Sequence, residues 1–160
     1  MATTVTSSTL KVTLTEAITL NGVVRGATNA ISITGIGEVD QRLVTVPSSP
    51  NAATTSYNVL TLGSLAMGGT FASSAVKYIR ITNLDDSDSC RLRFGTSNKG
   101  AWFNLEAGKS FCIFNDDFLV DDDALPDWTV GTTAFEQYAT IFAQTEAANG
   151  IDLELFVASA

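Results

Sequence analysis

Histidine is absent from this chain of 160 residues, and its absence removes whole classes of catalytic site. Histidine is the usual general base, so the Ser-His-Asp and Cys-His arrangements and histidine-ligated metal sites are excluded. Phosphate-binding loops are missing as well, since the nearest glycine string, Gly35-Ile36-Gly37, lacks the third glycine of the dinucleotide-binding pattern. These absences predict that the chain is not an enzyme and carries no metal or other cofactor.

Cysteine is scarce too. The two cysteines, Cys90 and Cys112, lie in separate apolar segments, and neither belongs to a Cys-x-x-Cys pair. Residues 1–10 lack the basic and apolar regions of a signal peptide, which predicts synthesis in the cytosol. In that compartment both cysteines are expected to be free thiols, buried as small apolar side chains. No segment approaches the ~20 consecutive apolar residues of a membrane span.

Charged residues make up only 16% of the chain, against roughly 25% in typical soluble domains. The net charge is −8 and the pI is near 4.3, which excludes nucleic acid and anionic membranes as partners because both require clustered Lys and Arg. With 45% hydrophobic residues and a mean hydropathy of +0.20, apolar surface is expected to remain after one core is filled. Such surface is typical of an interface, so a homo-oligomer is predicted. The alternative is a monomer with a threonine-rich coat.

Strand patterns are present along the whole chain: alternating apolar and polar residues are interrupted by Gly, Asn, Asp, Ser or Pro. Asn21-Gly22 is a strong signal for a two-residue hairpin turn, because both positions favour positive φ. The predicted strands are 10–15, 17–20, 30–34, 38–46, 57–65, 76–83, 89–95, 101–105, 109–114, 134–144 and 151–157. The four strands from 76 to 114 are predicted to form a meander, and a short helix is the alternative for 133–148.

About ten antiparallel strands without crossover helices predict an all-β fold, namely an antiparallel two-sheet sandwich that is jelly-roll-like. A closed barrel is the alternative. Residues 1–9 are predicted to be a flexible arm rich in Thr and Ser, and 10–160 a single β-sandwich domain. In an assembly the arm is expected to add as an edge strand to a neighbouring subunit.

Two acidic segments raise the question of carboxylate chemistry. Segment 85–88 fits either a hairpin turn with aspartates capping backbone N–H groups or a calcium loop, although EF-hand spacing is missing. Segment 115–127 fits either a solvated loop, a cation site or a glycosidase carboxylate pair. Its aspartates are Asp116, Asp117, Asp121, Asp122, Asp123 and Asp127. The loop interpretation is preferred for both segments, because catalytic pairs usually come from separate rigid elements.

Two further sets of side chains are candidates for binding. Arg80, Arg91 and Arg93 lie on predicted neighbouring strands, and one choice of register places all three on one outward face. In so acidic a chain they would form a positive patch that docks onto an acidic partner surface; the alternative is ordinary solvated strand faces. Trp102 and Trp128 are candidate platforms for stacking sugar rings.

Segment 76–111 carries a family resemblance. It contains VKYIRITN at 76–83, RLRF at 91–94 and LEAGKSF at 105–111, a strand, second strand and Gly-containing turn into a third strand. This pattern resembles small virion structural proteins of tailed bacteriophages. The resemblance implies a jelly-roll or sandwich subunit located in the virion and assembled in the host cytoplasm. No binding residues follow from it.

The resemblance leaves two functions open. The first is a homo-oligomeric capsid decoration (cement) protein, a trimer whose partners are copies of itself and a viral capsid protein. The second is a tail or tail-fibre module that binds a host surface glycan through Trp102 and Trp128.

Overall fold

A computed structural model of the protein describes residues 6–49, 56–63, 71–95, 100–114 and 140–160. These ranges contain thirteen strands, one short 3-10 turn (Ser73–Ala75) and no α-helix. The strands are β1 (Ser8–Thr15), β2 (Thr19–Leu20), β3 (Val23–Val24), β4 (Thr28–Ile36), β5 (Glu38–Val46), β6 (Tyr57–Gly63), β7 (Phe71–Ala72), β8 (Val76–Asn83), β9 (Cys90–Gly95), β10 (Gly100–Leu105), β11 (Ser110–Ile113), β12 (Thr140–Gln144) and β13 (Ile151–Ser159).

Two sheets packed face to face form the body of the protein. The first has the strand order β11-β8-β13-β5 and the second β10-β9-β12-β6-β7. Alternate residues of each strand point into one shared core, which the first sheet fills with side chains such as Ile79 and Leu155 and the second with Leu92 and Ile141. The predicted all-β sandwich is therefore confirmed.

The pairing of the strands is nested. Strand β5 pairs with β13, β6 with β12, β8 with β11 and β9 with β10, all antiparallel. The described strands from β5 to β13 thus have the pairing of one long antiparallel hairpin rolled up into two sheets, which is the jelly-roll arrangement. Strand β7 adds to the edge of β6 in parallel.

The predicted meander from 76 to 114 is wrong. Strands β8 and β11 belong to the first sheet, while β9 and β10 belong to the second. The two links 84–89 and 106–109 therefore cross from one sheet to the other instead of turning back within a sheet. A short link can do either, because stacked sheets lie only about 10 Å apart. Strand alternation does not distinguish the two cases.

Residues 8–36 form a separate N-terminal hairpin. Strand β1 pairs with β4 and β2 pairs with β3, and backbone bonds from Glu16 N to Ala27 O (2.8 Å) and from Arg25 N to Ile18 O (2.9 Å) join the two ladders. The turn is Asn21-Gly22 with φ of 52° and 76°, as predicted.

Among the described residues, only the base of the N-terminal hairpin packs on the sandwich. Ile36 is buried with Tyr78 and Ala158 of the first sheet, on the face that points away from the main core. Leu10, Val12 and Ile33 are partly buried in the same cluster.

These contacts show where the N-terminal hairpin lies along the predicted segments 1–9 and 10–160. The first strand begins at Ser8, so the predicted arm 1–9 overlaps β1, and residues 1–5 lie outside the described residues. Residues 10–36, the first part of the predicted domain 10–160, form most of the N-terminal hairpin. The rest of the predicted domain supplies both sheets.

Candidate functional site

The outer face of the second sheet carries two rows of side chains that run across three strands. In the first row Trp102 of β10 stands opposite Arg93 of β9, which stands opposite Phe142 of β12. Two residues further along, Asn104, Arg91 and Gln144 form the second row. Both rows face away from the core because they alternate with the buried Leu92 and Phe94. The folded sheet therefore places an aromatic row beside a polar row.

The aromatic row is held together by the Arg93 guanidinium. Its central carbon lies 4.3 Å from the ring centroid of Phe142 and 5.5 Å from that of Trp102, which is cation–π geometry. Trp102 is nevertheless 52% exposed, so much of its indole faces solvent. An exposed indole fixed in orientation is suited to stacking against the apolar face of a ligand ring.

A polar groove of about 530 Å³ lies at the polar row. It is lined by Asp88, Ser89, Arg91, Asn104, Gln144, Thr145, Glu146 and Ala147. Gln144 is only 3% exposed, and its Nε2 atom makes no hydrogen bond in the structure. A buried amide donor without a partner lowers the free energy of unfolding by about 1–3 kcal/mol. The amide of Gln144 is therefore not explained by a contribution to stability.

Asn83 fixes one wall of the groove. It is fully buried at the end of β8, where its Nδ2 donates to the carbonyl oxygens of Asp88 (2.8 Å) and Leu105 (3.2 Å). Its Oδ1 accepts a hydrogen bond from the Asp85 N–H (3.0 Å). One side chain thus ties the link 84–89 to the end of β10.

Asp85 shapes the rest of this link. Its Oδ1 accepts hydrogen bonds from the backbone N–H groups of Ser87 (2.9 Å) and Asp88 (2.7 Å), and these bonds hold the pKa of the Asp85 carboxyl below its usual 3.8. This is the capped turn that the sequence favoured over a calcium loop. Across the described ranges, no group of three or more His, Cys, Asp or Glu side chains is placed to hold a metal ion.

Thr145 completes the opposite wall, just after β12. Its Oγ1 donates to the carbonyl oxygen of Ser89 (3.1 Å) and accepts from the Ala147 N–H (3.2 Å). The lining residues on both sides of the groove therefore lie on backbone segments that buried hydrogen bonds hold in place.

The predicted arginine patch is wrong, because Arg80 belongs to the other sheet. Arg91 and Arg93 share the outer face of the second sheet, whereas Arg80 lies on the outer face of the first. There its guanidinium pairs with Glu154 (2.8 Å), which also accepts a hydrogen bond from Gln41 (2.7 Å). The prediction failed because it treated β8 and β9 as neighbours in one sheet.

Of the two tryptophans and the acidic segment predicted as candidate site residues, the structure describes Trp102 alone. Trp102 is exposed as the platform interpretation requires. Trp128 and the segment 115–127, with all its predicted carboxylates, lie outside the described residues.

Sequence reasoning predicted leftover apolar surface but did not locate it on the N-terminal hairpin. Beyond its base, five aliphatic side chains are more than half exposed: Leu14, Ile18, Leu20, Val23 and Val24. Strand 10–15 is predicted to belong to the sandwich, but of its aliphatic residues Leu10 and Val12 pack on the sandwich while Leu14 is 55% exposed. The polar positions on the same strands are rich in threonine. This composition was the available signal that no second layer covers the aliphatic side chains.

The first sheet exposes apolar residues as well. Val39 and Leu43 of β5 are 52% and 69% exposed on the outer face, and β5 is the last strand of its sheet. An edge strand with exposed aliphatic side chains is a natural contact for another chain.

The two cysteines differ from the prediction in one respect. Both are free, as expected, and Cys90 is buried in the second sheet. Cys112, predicted to be buried, is exposed on β11, where the Tyr78 hydroxyl lies 4.0 Å from its sulfur. The residue alternates with the core residues Phe111 and Ile113, so it faces outward.

Comparison with known proteins assigns no family. No protein-family model, curated protein or solved structure matches the chain. Within the described ranges, no helix has the length and apolar character needed to cross a membrane. Function is therefore inferred from the surfaces described above.

Proposed function

We propose that the chain is a non-enzymatic structural protein of a bacteriophage particle, a homo-oligomeric decoration protein that stabilises the capsid. The observation that carries this proposal is the N-terminal hairpin, which extends from a jelly-roll sandwich with five aliphatic side chains more than half exposed. The resemblance of segment 76–111 to small virion proteins supports the choice of a virus particle.

The physical argument for assembly starts from the instability of an isolated hairpin. Two strands alone are marginally stable in water and normally need a further layer. The base of the N-terminal hairpin has such a layer in Tyr78 and Ala158, but the part beyond Leu14 has none among the described residues. A subunit contact would bury these side chains, each worth about 1.5–3 kcal/mol when fully buried.

The edge strand β5 is the surface we propose as the partner of the hairpin. Val39 and Leu43 are exposed there, so an aliphatic surface exists at both places on one chain. Contact between two different surfaces of identical chains is heterologous and closes into a ring when the rotation between subunits permits. A trimer is the ring that we propose, in accordance with the implied decoration role.

Light scattering on the intact chain and on a Leu20→Ser/Val24→Ser variant tests this proposal. We expect an oligomer for the intact chain and a monomer for the variant, because two of the five exposed aliphatic side chains become polar. Leu84→Ser is the matched control, since Leu84 is 48% exposed but lies outside the hairpin. Cosedimentation with purified capsid shells should follow the same order.

A monomeric intact chain at high micromolar concentration, together with no cosedimentation, would remove the proposal. Equal dissociation of the Leu84→Ser variant would show that the hairpin has no special part in assembly.

A second candidate function is recognition of a host surface glycan by a tail or tail-fibre module. The observation in its favour is Trp102, half exposed beside the polar groove. Binding on a glycan array should decrease in Trp102→Ala and remain in Phe114→Ala, which removes another exposed ring from the first sheet's side of the sandwich. An array without any bound glycan contradicts this candidate.

A further inference from the structure

We infer that the polar groove beside Gln144 is the hydrogen-bonding part of a site for a neutral carbohydrate, with Trp102 as its stacking part. The inference rests on the second function proposed above and names the residues and the class of sugar. The volume of the groove, about 530 Å³, falls within the ~300–1,000 Å³ typical of small-molecule sites.

The lining offers both hydrogen-bond donors and acceptors. Arg91 donates, the carboxylates of Asp88 and Glu146 accept, and the Asn104 amide does both. Sugar hydroxyls also donate and accept, so a hydroxyl-rich ring can pair with all of these groups. The lining contains one guanidinium and two carboxylates, a net negative set that disfavours anionic ligands such as phosphate or sialic acid.

Gln144 is the residue that points to a ligand. A leucine at this position would fill the same space without leaving a buried amide unpaired. Gln144 lines the groove in register with Arg91 and Asn104, so a ligand hydroxyl that enters the groove comes close to its amide group. Pairing with that hydroxyl removes the cost that the free protein carries.

Trp102 is placed to extend the same site. It lies two residues from Asn104 on β10 and on the same face, roughly 7 Å along the strand. A sugar whose hydroxyls enter the groove can therefore place a neighbouring ring, or its own C–H face, against the indole. The Arg93 guanidinium lies 5.5 Å from the centroid of the indole, and this cation–π contact favours the observed position of the ring.

Titration by NMR with the methyl glycosides of glucose, galactose, mannose and N-acetylglucosamine tests the inference, and sialic acid serves as the anionic comparison. The key variant is Gln144→Leu. Its melting temperature should equal or exceed that of the intact chain, because a buried unpaired donor is removed, while its affinity should fall by about tenfold. Gln41→Leu is the matched control, an exposed glutamine on the outer face of the opposite sheet.

The outcomes separate this inference from the function on which it rests. The groove is supported as the binding site if neutral glycosides bind, if Gln144→Leu weakens this binding, and if Gln41→Leu leaves it unchanged. Binding that is lost in Trp102→Ala but unchanged in Gln144→Leu overturns the groove and leaves glycan recognition intact. Preference for sialic acid likewise overturns the neutral-sugar site alone. Absence of binding to every sugar overturns both.

Discussion

The two cysteines of this protein should react at very different rates. Burial raises the pKa of the Cys90 thiol to about 11, so near neutral pH almost none of it is thiolate, the reactive form. Cys112 is exposed. A thiol reagent such as DTNB should therefore label one cysteine per folded chain, and Cys112→Ser should abolish that labelling. Fast labelling of two thiols in the folded chain would show that Cys90 is accessible.

Asn83 should be costly to remove, because it is the fully buried polar side chain among the described residues with three hydrogen bonds to backbone. Its three hydrogen bonds are made in a fully buried position, and truncation removes this partner from three backbone groups. Asn83→Ala is expected to lower the free energy of unfolding by about 3 kcal/mol, measured by urea denaturation. The exposed Asn58, with a single bond to Thr61 (2.7 Å), is the control, and Asn58→Ala should cost less than about 1 kcal/mol. Equal losses would contradict the assigned role of Asn83.

At the scale of elements, the turn at Asp85 should make stability depend on acid pH. The pKa of the Asp85 carboxyl is lower in the folded chain than its usual 3.8, so its stabilisation is present above that value and is lost as the pH falls through the folded pKa. Asp85→Asn should therefore melt at a lower temperature than the intact chain at neutral pH, and the gap should close in acid. Asp86→Asn is the control. A gap that stays constant across the pH series would contradict this account.

The outer part of the N-terminal hairpin, residues 16–27, should be removable without loss of the sandwich. Thr15 and Thr28 face each other in the ladder, so an Asn-Gly turn can join them directly in place of residues 16–27. The shortened chain keeps the packed base and loses most of the exposed aliphatic residues. We expect unchanged circular dichroism together with a monomer in light scattering. A collapsed fold would show that the outer hairpin stabilises the sandwich, and an unchanged oligomer would place the interface elsewhere.

For the whole molecule, the proposed assembly links stability to protein concentration. Association that stabilises the folded chain raises the melting temperature as concentration increases. Differential scanning calorimetry of the intact chain over a hundredfold dilution should show this rise, and the Leu20→Ser/Val24→Ser variant should show none. If the melting temperature depends on concentration in the same way in both proteins, the hairpin does not form the assembly interface.

Much of the fold follows from the sequence alone. Strands β5 and β8 have the predicted bounds, and Asn21-Gly22 forms the predicted turn, because alternation and turn propensity are local properties of neighbouring residues. The sandwich class also follows, since many short strands without helices have few ways to bury one face of each strand.

The tertiary structure alone decided which strands are neighbours. Alternation shows that Arg91 and Arg93 share a face, but it does not show that the link 84–89 crosses to the other sheet and separates them from Arg80. The row of Asn104, Arg91 and Gln144 likewise joins residues from three strands through pairing register, which no local pattern encodes. For the same reason the exposure of Leu14 depends on where the sandwich ends beneath the hairpin, a long-range packing fact.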